Sequence, residues 1–141
     1  MYYIKFEESF DSAHFLKDYN GKCGNIHGHR WRIVAQVRSE DLGLEDDRRG
    51  MVHDFSEVKD VLKELCDAFD HTMIYEAGTL KEATIAALED EGFEITEVSF
   101  RPTAENFARY FYDRIKEKGY DAHRVEVYET PNNCAVYEEP R

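Results

Sequence analysis

Hydrophobic and polar residues alternate along residues 29–38, HRWRIVAQVR. Trp31, Ile33, Ala35 and Val37 share one parity, whereas the other parity is mostly arginine and glutamine. Because successive side chains of a strand point to opposite faces, this period of two is typical of an antiparallel strand with one buried face. Residues 2–15, rich in Tyr, Ile and Phe, are also predicted to be extended.

Two segments carry apolar residues at helical spacing. Residues 54–69 begin with Asp54 as an acidic cap and place their apolar residues three or four positions apart. Residues 101–119 predict a second strong helix, with Thr103 as its cap and Gly119 at its end. Both patterns favour helices with one buried face.

The rest of the chain predicts a weaker helix and three short strands. The helix covers residues 79–91, and a strand follows over residues 93–100. Two further strands, residues 123–129 and 134–138, are joined by TPNN, whose residues favour a turn. This order favours a single α+β domain over residues 1–141, with an antiparallel sheet and its helices packed on one face.

Composition limits the classes of partner. The chain has 141 residues, 42% of them hydrophobic, which is enough for one core without disulfides, and its three cysteines are an odd count. Its formal net charge of −12 repels phosphate backbones and anionic membranes, so neither nucleic acid nor a membrane is an expected partner. No apolar run has the length of a signal peptide core or a bilayer span, which favours a cytoplasmic location.

The motif CGNIHGH, at residues 23–29, holds one thiol and two imidazoles within seven residues. In a strand, His27 and His29 point to the same face, and Gly28 between them would let the backbone approach closely. His14 ends the preceding extended segment, and pairing of the two strands could bring it alongside. Three neutral imidazoles with one open position are typical of a catalytic zinc site, whereas isolated histidines are usually ordinary surface or core residues.

The three cysteines have different surroundings in the sequence. Cys23 lies four residues before His27, where a thiol near a cation is a usable base or nucleophile. As a fourth ligand, the same sulfur would instead close a structural zinc site. Cys66, on the apolar stripe of the first helix, and Cys134, at the start of the last strand, are interpreted as small hydrophobic residues.

Three further motifs carry polar side chains that could have a chemical or a structural role. Asp70 and His71 follow the first helix, where they could shuttle protons or simply end the helix. Thr103 and Glu105 stand at the start of the second strong helix, where a carboxylate usually compensates the helix dipole. Glu129 ends an otherwise alternating strand.

Together these fragments carry a family resemblance. DSAHF, CGNIHGH, GMVHDF, DHT, PTAEN and YETPNN occur in the order seen in the 6-pyruvoyltetrahydropterin and 6-carboxytetrahydropterin synthase superfamily, across about residues 5 to 138. The chain therefore resembles this family over nearly its whole length. The resemblance implies the tunnelling fold (T-fold), in which copies associate as a β-barrel with helices outside. It also implies a homo-oligomer, commonly a hexamer of two trimers, with active sites between subunits.

The resemblance also implies residue roles. It implies three zinc ligands, His14, His27 and His29. Cys23 resembles the proton-abstracting thiolate, and Asp70 and His71 resemble its relay partners, supplied by a neighbouring subunit. Glu129 resembles the carboxylate that anchors the amino-pyrimidine edge of a pterin. The positions of Thr103 and Glu105 line the pterin pocket or support the relay.

The implied substrate is dihydroneopterin triphosphate. The carboxy branch releases acetaldehyde and triphosphate on the route to 7-deazaguanine precursors of queuosine or archaeosine, and the pyruvoyl branch eliminates triphosphate by internal redox transfer. Three residues between Cys23 and His27 resemble the carboxy branch. The alternatives are a pyruvoyl synthase, a noncatalytic pterin-binding protein with a structural zinc site, and a scaffold without metal. Because the chain is acidic, a triphosphate needs local cations, for which the candidates are Lys17, Lys22, Arg30 and Arg101.

Overall fold

The computed structural model describes residues 1–140 as nine regular elements in one sheet and three helices. In chain order they are β1 (Tyr2–His14), β2 (His27–Ser39), α1 (Phe55–Asp67), β3 (Thr72–Glu76), α2 (Glu82–Asp90), β4 (Ile95–Val98), α3 (Ala104–Glu117), β5 (Ala122–Thr130) and β6 (Asn133–Glu138). The strand order across the sheet is β4-β3-β1-β2-β5-β6. Within residues 1–140, no helix has both the length and the apolar character that a bilayer crossing requires.

The sheet is mixed. β1, β2, β5 and β6 pair antiparallel, as the sequence predicts, but β3 and β4 join the β1 edge as parallel strands. Parallel neighbours need a crossover connection, and α2 supplies it between β3 and β4. The α+β class is therefore confirmed, while the purely antiparallel description fails at β3, which the sequence analysis did not predict.

α1 and α3 pack on one face of the sheet and enclose the core. The inward-facing residues of β2, Trp31, Ile33, Ala35 and Val37, are fully buried on that face, which confirms the alternation read from the sequence. α1 and α3 cover it with two sets of buried residues, Val58, Leu62 and Cys66, and Phe107, Ala108, Phe111, Tyr112 and Ile115. α2 contributes no buried residue, which agrees with its weaker pattern.

The predicted helix caps are present. The Asp54 carboxylate accepts a hydrogen bond from the backbone N–H of Ser56 at 2.8 Å, and the Thr103 hydroxyl accepts one from the N–H of Asn106 at 3.2 Å. Gly119 follows α3 with φ 97°, a left-handed conformation that costs glycine little. The local signals therefore set the positions of the helices that cover the core.

The opposite face of the sheet carries ion pairs. Arg30 makes two hydrogen bonds to the Asp11 carboxylate, at 2.9 and 3.0 Å, and Arg32 donates to Glu7 at 2.8 Å. The Arg32 guanidinium also lies 3.9 Å from the centre of the Tyr128 ring. Because such exposed pairs contribute little stability each, the fold depends mainly on the helix-covered face.

We expect Phe107→Ala to lower the free energy of unfolding by about 3 to 5 kcal/mol, because it removes a fully buried ring. That ring lies 5.1 Å from Trp31 and 5.4 Å from Phe69, between centroids. Urea unfolding at one protein concentration measures the change. The control is Phe93→Ala, whose ring is 60% exposed and whose effect should stay within about 0.5 kcal/mol. Equal effects of the two variants would contradict the assignment of the core.

Candidate metal centre

The pairing of β1 with β2 brings the three predicted histidines together. In this antiparallel ladder Ser12 lies opposite His29, and His14 lies opposite His27. All four side chains therefore share the helix-covered face of the sheet, at the end where the buried row of β2 begins. His14 is fully buried, and His27 and His29 are half-buried. The ladder therefore places the three predicted histidines on one face, at one end of the sheet.

Backbone carbonyls orient two of the imidazoles. The Nδ1 atom of His14 lies 2.8 Å from the carbonyl oxygen of Pro102, and the Nδ1 atom of His27 lies 2.6 Å from that of Asn25. Since a carbonyl oxygen only accepts, each Nδ1 carries the proton and each Nε2 has a free lone pair. The two Nε2 atoms are 3.1 Å apart. Lone pairs that face each other at this distance repel, so a shared proton or a metal ion between them would stabilise the arrangement. Metal-binding imidazoles commonly have their other ring nitrogen held by a carbonyl in this way.

Glu129 completes the cluster from β5. Its Oε1 atom lies 3.4 Å from Nε2 of His14 and 3.3 Å from Nε2 of His29. One ligand atom from each of these residues and His27 falls within a mutual distance of 4.8 Å. A tetrahedral zinc ion with bonds of about 2.0 Å separates its ligand atoms by about 3.3 Å. Three of the contacts, at 3.1, 3.3 and 3.4 Å, are close to that spacing, and all pairs lie within 4.8 Å.

The charge states of the cluster also suit a divalent cation. Burial, the largest cause, lowers the pKa of His29 and keeps that imidazole neutral, although Glu129 acts in the opposite direction. The adjacent His14 ring, the largest cause, holds the pKa of Glu129 below its usual range against the effect of burial. Neutral imidazole and ionised carboxylate are the forms that bind metals. The buried Nε2 of His29 has no hydrogen-bond partner among the described residues, so this donor set fits a zinc ion.

Cys23 lies outside the cluster, in a short 3-10 turn, Lys22–Gly24, between β1 and β2. Its side chain is half-buried and forms no disulfide. Among residues 1–140, the fourth ligand atom beside the imidazoles belongs to Glu129, so the interpretation of Cys23 as the closing ligand is wrong for this geometry.

The close backbone approach in this motif occurs at Gly24. A Cβ at Gly24 would lie 2.8 Å from the carbonyl oxygen of Tyr19, whereas a Cβ at Gly28 would make an ordinary contact of 3.5 Å with Ser12. The expectation for Gly28 was therefore wrong, because a Cβ there would meet no close backbone contact. The glycine that the turn requires is next to Cys23.

A cleft of about 310 Å³ adjoins the cluster and contains two of the predicted binding residues. Glu105 and Glu129 line it together with Asn132 and Cys134. Cys134 is exposed there, which overturns its interpretation as a small hydrophobic residue, whereas Cys66 is buried as expected. Thr103 is the N-cap of α3 and directly follows Pro102, the acceptor for His14.

Asp70 and His71 lie at the turn between α1 and β3, apart from the imidazoles of the same chain. The Asp70 carboxylate accepts the Asp11 N–H at 2.9 Å, and the His71 N–H donates to the Asp11 carbonyl oxygen at 2.6 Å. His71 has φ 58°, and its Nδ1 lies 2.9 Å from Asp70 while the imidazole stays 78% exposed. The pair is thus held together and presented to solvent.

The four candidate cations have different surroundings. Arg30 is engaged by Asp11, whereas the Arg101 guanidinium donates to the carbonyl oxygen of Lys17, at 3.1 Å. Lys17 and Lys22 are exposed on the loop that also carries Cys23. Within the part of the chain that the structure describes, Lys17, Lys22 and Arg101 form no ion pair.

Comparison with known proteins identifies relatives along the whole chain. A family model described as 6-pyruvoyl tetrahydropterin synthase matches residues 3–140. A Haemophilus influenzae protein named 6-carboxy-5,6,7,8-tetrahydropterin synthase is 35% identical over 142 residues, covering 99% of this chain and 100% of its own. A Synechocystis protein of the same name is 32% identical over 143 residues, covering 100% of this chain and 96% of its own.

Solved structures share the fold. An uncharacterized protein from Wolinella succinogenes superposes with a TM-score of 0.78 at 20% identity, covering 99% of this chain and 98% of its own. A catalytic-residue mutant of Plasmodium vivax 6-pyruvoyltetrahydropterin synthase superposes with a TM-score of 0.74 at 19% identity, covering 98% of this chain and 97% of its own. These likenesses confirm the T-fold read from the sequence.

We expect His27→Ala to weaken zinc binding by more than about 100-fold, because it removes a ligand rather than an outer-shell contact. His27 is half-buried at a strand end, so the fold should persist. Zinc content after gel filtration, with circular dichroism, measures both effects. His123→Ala, whose ring packs on Tyr3 rather than in the cluster, should keep its zinc. Collapse of the fold in His27→Ala would indicate a structural metal instead.

We expect the stability of Asp70→Asn to fall less steeply than that of the wild type as the pH is lowered. The Asp11 N–H, the largest cause, and His71 lower the pKa of Asp70, so its contribution is present above the unfolded pKa and is lost as pH falls through the folded value. The difference in Tm between about pH 6 and about pH 3 should therefore be smaller in the variant than in the wild type. Asp60→Asn, on the exposed side of α1, should behave as the wild type. An unchanged pH dependence in Asp70→Asn would contradict the role of the Asp11 contact.

Proposed function

Because the chain belongs to the 6-pyruvoyl tetrahydropterin synthase family, we propose that it is a zinc-dependent 6-carboxytetrahydropterin synthase. It would convert dihydroneopterin triphosphate and one water to 6-carboxytetrahydropterin, acetaldehyde and triphosphate, for the synthesis of 7-deazaguanine precursors. The names of its relatives and the short spacing from Cys23 to His27 support the carboxy branch. The single observation that carries the proposal is the convergence of His14, His27 and His29 beside Glu129.

The imidazoles would hold the zinc ion, and Cys23 would act as the base. When bound, zinc supplies Lewis acidity toward the side-chain hydroxyls of the substrate. Cys23 would then take the proton from the adjacent carbon as a thiolate. Its position supports this role, because Cys23 lies in the turn that leads into β2, four residues before His27 in the sequence. Its half-buried side chain remains accessible to a substrate.

Asp70 and His71 would relay protons in the active site of a neighbouring copy. Neither residue belongs to the imidazole cluster of the same chain among the described residues. The Nδ1 atom of the exposed His71 ring lies 2.9 Å from the Asp70 carboxylate. The sheet ends in the strands β4 and β6, and an open edge is available for pairing with another chain. These features support a homo-oligomer, proposed as a hexamer, whose active sites lie between subunits.

The cleft beside the cluster would take the pterin ring. Glu129 would accept hydrogen bonds from the two N–H donors of the amino-pyrimidine edge, and Glu105 shares this cleft. Thr103 would support the pocket through the start of α3. The exposed loop cations Lys17 and Lys22, with Arg101, would receive the triphosphate and offset the net charge of the chain.

Product identification tests the proposal directly. We expect the purified zinc-loaded protein to convert dihydroneopterin triphosphate to a pterin with the mass of the 6-carboxy product. Mass spectrometry identifies the pterin, and an enzymatic assay should find one acetaldehyde released for each pterin formed. The mass of the pyruvoyl product without acetaldehyde would assign the other branch, and unchanged substrate would refute the enzyme.

We expect Cys23→Ala to keep its zinc and lose activity. Removal of a general base lowers kcat by about 10² to 10⁴-fold, whereas Cys23 is not among the ligand atoms of the cluster. Single-turnover product formation and zinc content, measured on one preparation, separate the two effects. Cys23→Ser is the conservative comparison, since it keeps the size of the side chain. Simultaneous loss of zinc and fold in Cys23→Ala would support a structural site instead.

A further inference from the structure

The turn that precedes α3, at residues 101–103, connects the imidazole cluster to a side chain outside it. We propose that Asn106 is a positioning residue for the metal centre, because its carboxamide anchors this turn and the turn orients the His14 imidazole. The inference rests on the zinc site proposed above. Asn106 is not a member of the ligand cluster among the described residues, so it acts only through the turn.

One peptide unit joins the turn to the metal ligand. It lies between Pro102 and Thr103, and its carbonyl oxygen is 2.8 Å from Nδ1 of the buried His14. The N–H of the same unit donates to the carbonyl oxygen of Arg101 at 2.7 Å. Because a trans peptide unit is planar, its C=O and N–H point in opposite directions. Holding the N–H on Arg101 therefore directs the carbonyl toward His14.

Asn106 fixes the other end of this contact. Its Nδ2 atom donates to the Arg101 carbonyl oxygen at 2.9 Å, and its backbone N–H donates to the Thr103 hydroxyl at 3.2 Å. Since a carbonyl oxygen only accepts, the carboxamide must present its nitrogen to Arg101. The next residue, Phe107, is fully buried, so Asn106 ties the turn to the part of α3 that packs in the core.

The residue type at position 106 differs from that of a common helix start. A threonine cap is often followed three residues later by glutamate or glutamine, whose side chain accepts the backbone N–H of the cap. Here the N–H of Thr103 is already bound to Arg101, and Asn106 acts as a donor. A carboxylate at position 106 would suit the helix dipole but could not donate. Helix stability alone therefore does not account for the asparagine.

The same turn is bonded to the loop that carries Cys23. The Arg101 guanidinium donates to the carbonyl oxygen of Lys17 at 3.1 Å. Next to Lys17, the Leu16 N–H donates to the carbonyl oxygen of Cys23 at 2.8 Å. The turn that holds the metal ligand therefore also contacts the loop of the base proposed above.

Two variants remove the donor while nearly keeping the size of the side chain. Asn106→Asp carries a charge and Asn106→Leu does not, so an effect common to both reports the lost hydrogen bond. We expect both to weaken zinc binding about threefold to tenfold, less than the loss of a direct outer-shell partner, measured by competition with a chelator. We also expect the His14 Nδ1 proton of the zinc-loaded protein to exchange with solvent at least about tenfold faster, measured by NMR with labelled histidine.

Two controls separate positioning from a general loss of stability. Asn20→Asp makes the same chemical change on the exposed loop before β2 and should change neither zinc affinity nor proton exchange. The Tm of the metal-free Asn106 variants should lie within about 4 °C of the wild type, because the lost hydrogen bond is exposed. A lower Tm with unchanged exchange of the His14 proton would make Asn106 an ordinary helix residue and overturn the inference.

The remaining outcomes distinguish this inference from the proposed function. Unchanged zinc affinity in both variants, or a change in Asn106→Asp alone, would overturn the positioning role and leave the enzyme assignment intact. Absence of zinc binding in the wild type would overturn the zinc site and the positioning role together. The product assay described above tests the reaction independently of either result.

Discussion

The register of one antiparallel ladder determines both the core and the candidate site. β1 and β2 pair along their full lengths, with Phe10 opposite Trp31 and His14 opposite His27. Because side chains alternate in a strand, a slip of one residue would move the facing set to the polar side of the sheet. The Trp31 ring packs edge-on against His14 at 4.9 Å between centroids, so the hydrophobic core continues directly into the imidazole cluster. The packing of the core and the convergence of the imidazoles therefore depend on the same pairing.

The cluster lies at the boundary between the buried core and the solvent. His14 is fully enclosed and its Nδ1 is occupied by the Pro102 carbonyl, whereas Glu129 reaches in from a partly exposed strand end. This difference gives the site a rigid side and a side that can rearrange.

The segment between His71 and Pro102 extends the sheet and contributes two buried side chains to the core. It forms β3, α2 and β4, and it is anchored chiefly by the buried Ile74 and Val98, while α2 stays on the surface. The extension also places the Asp70 and His71 turn against the backbone of Asp11. Its parallel strands follow from the crossover through α2 and continue the sheet beyond the β1 edge.

Local pattern was sufficient for much of this protein. The alternation of β2, the caps Asp54 and Thr103, and the shared face of His27 and His29 are properties of neighbouring residues, so the sequence alone determined them. Strand β3 escaped prediction because five residues carry little periodic signal and its partners lie far along the chain. The position of Glu129 beside the imidazoles was likewise decided only by the pairing of β5 with β2. Sequence spacing determines which side chains share a face, but long-range strand pairing determines which faces meet.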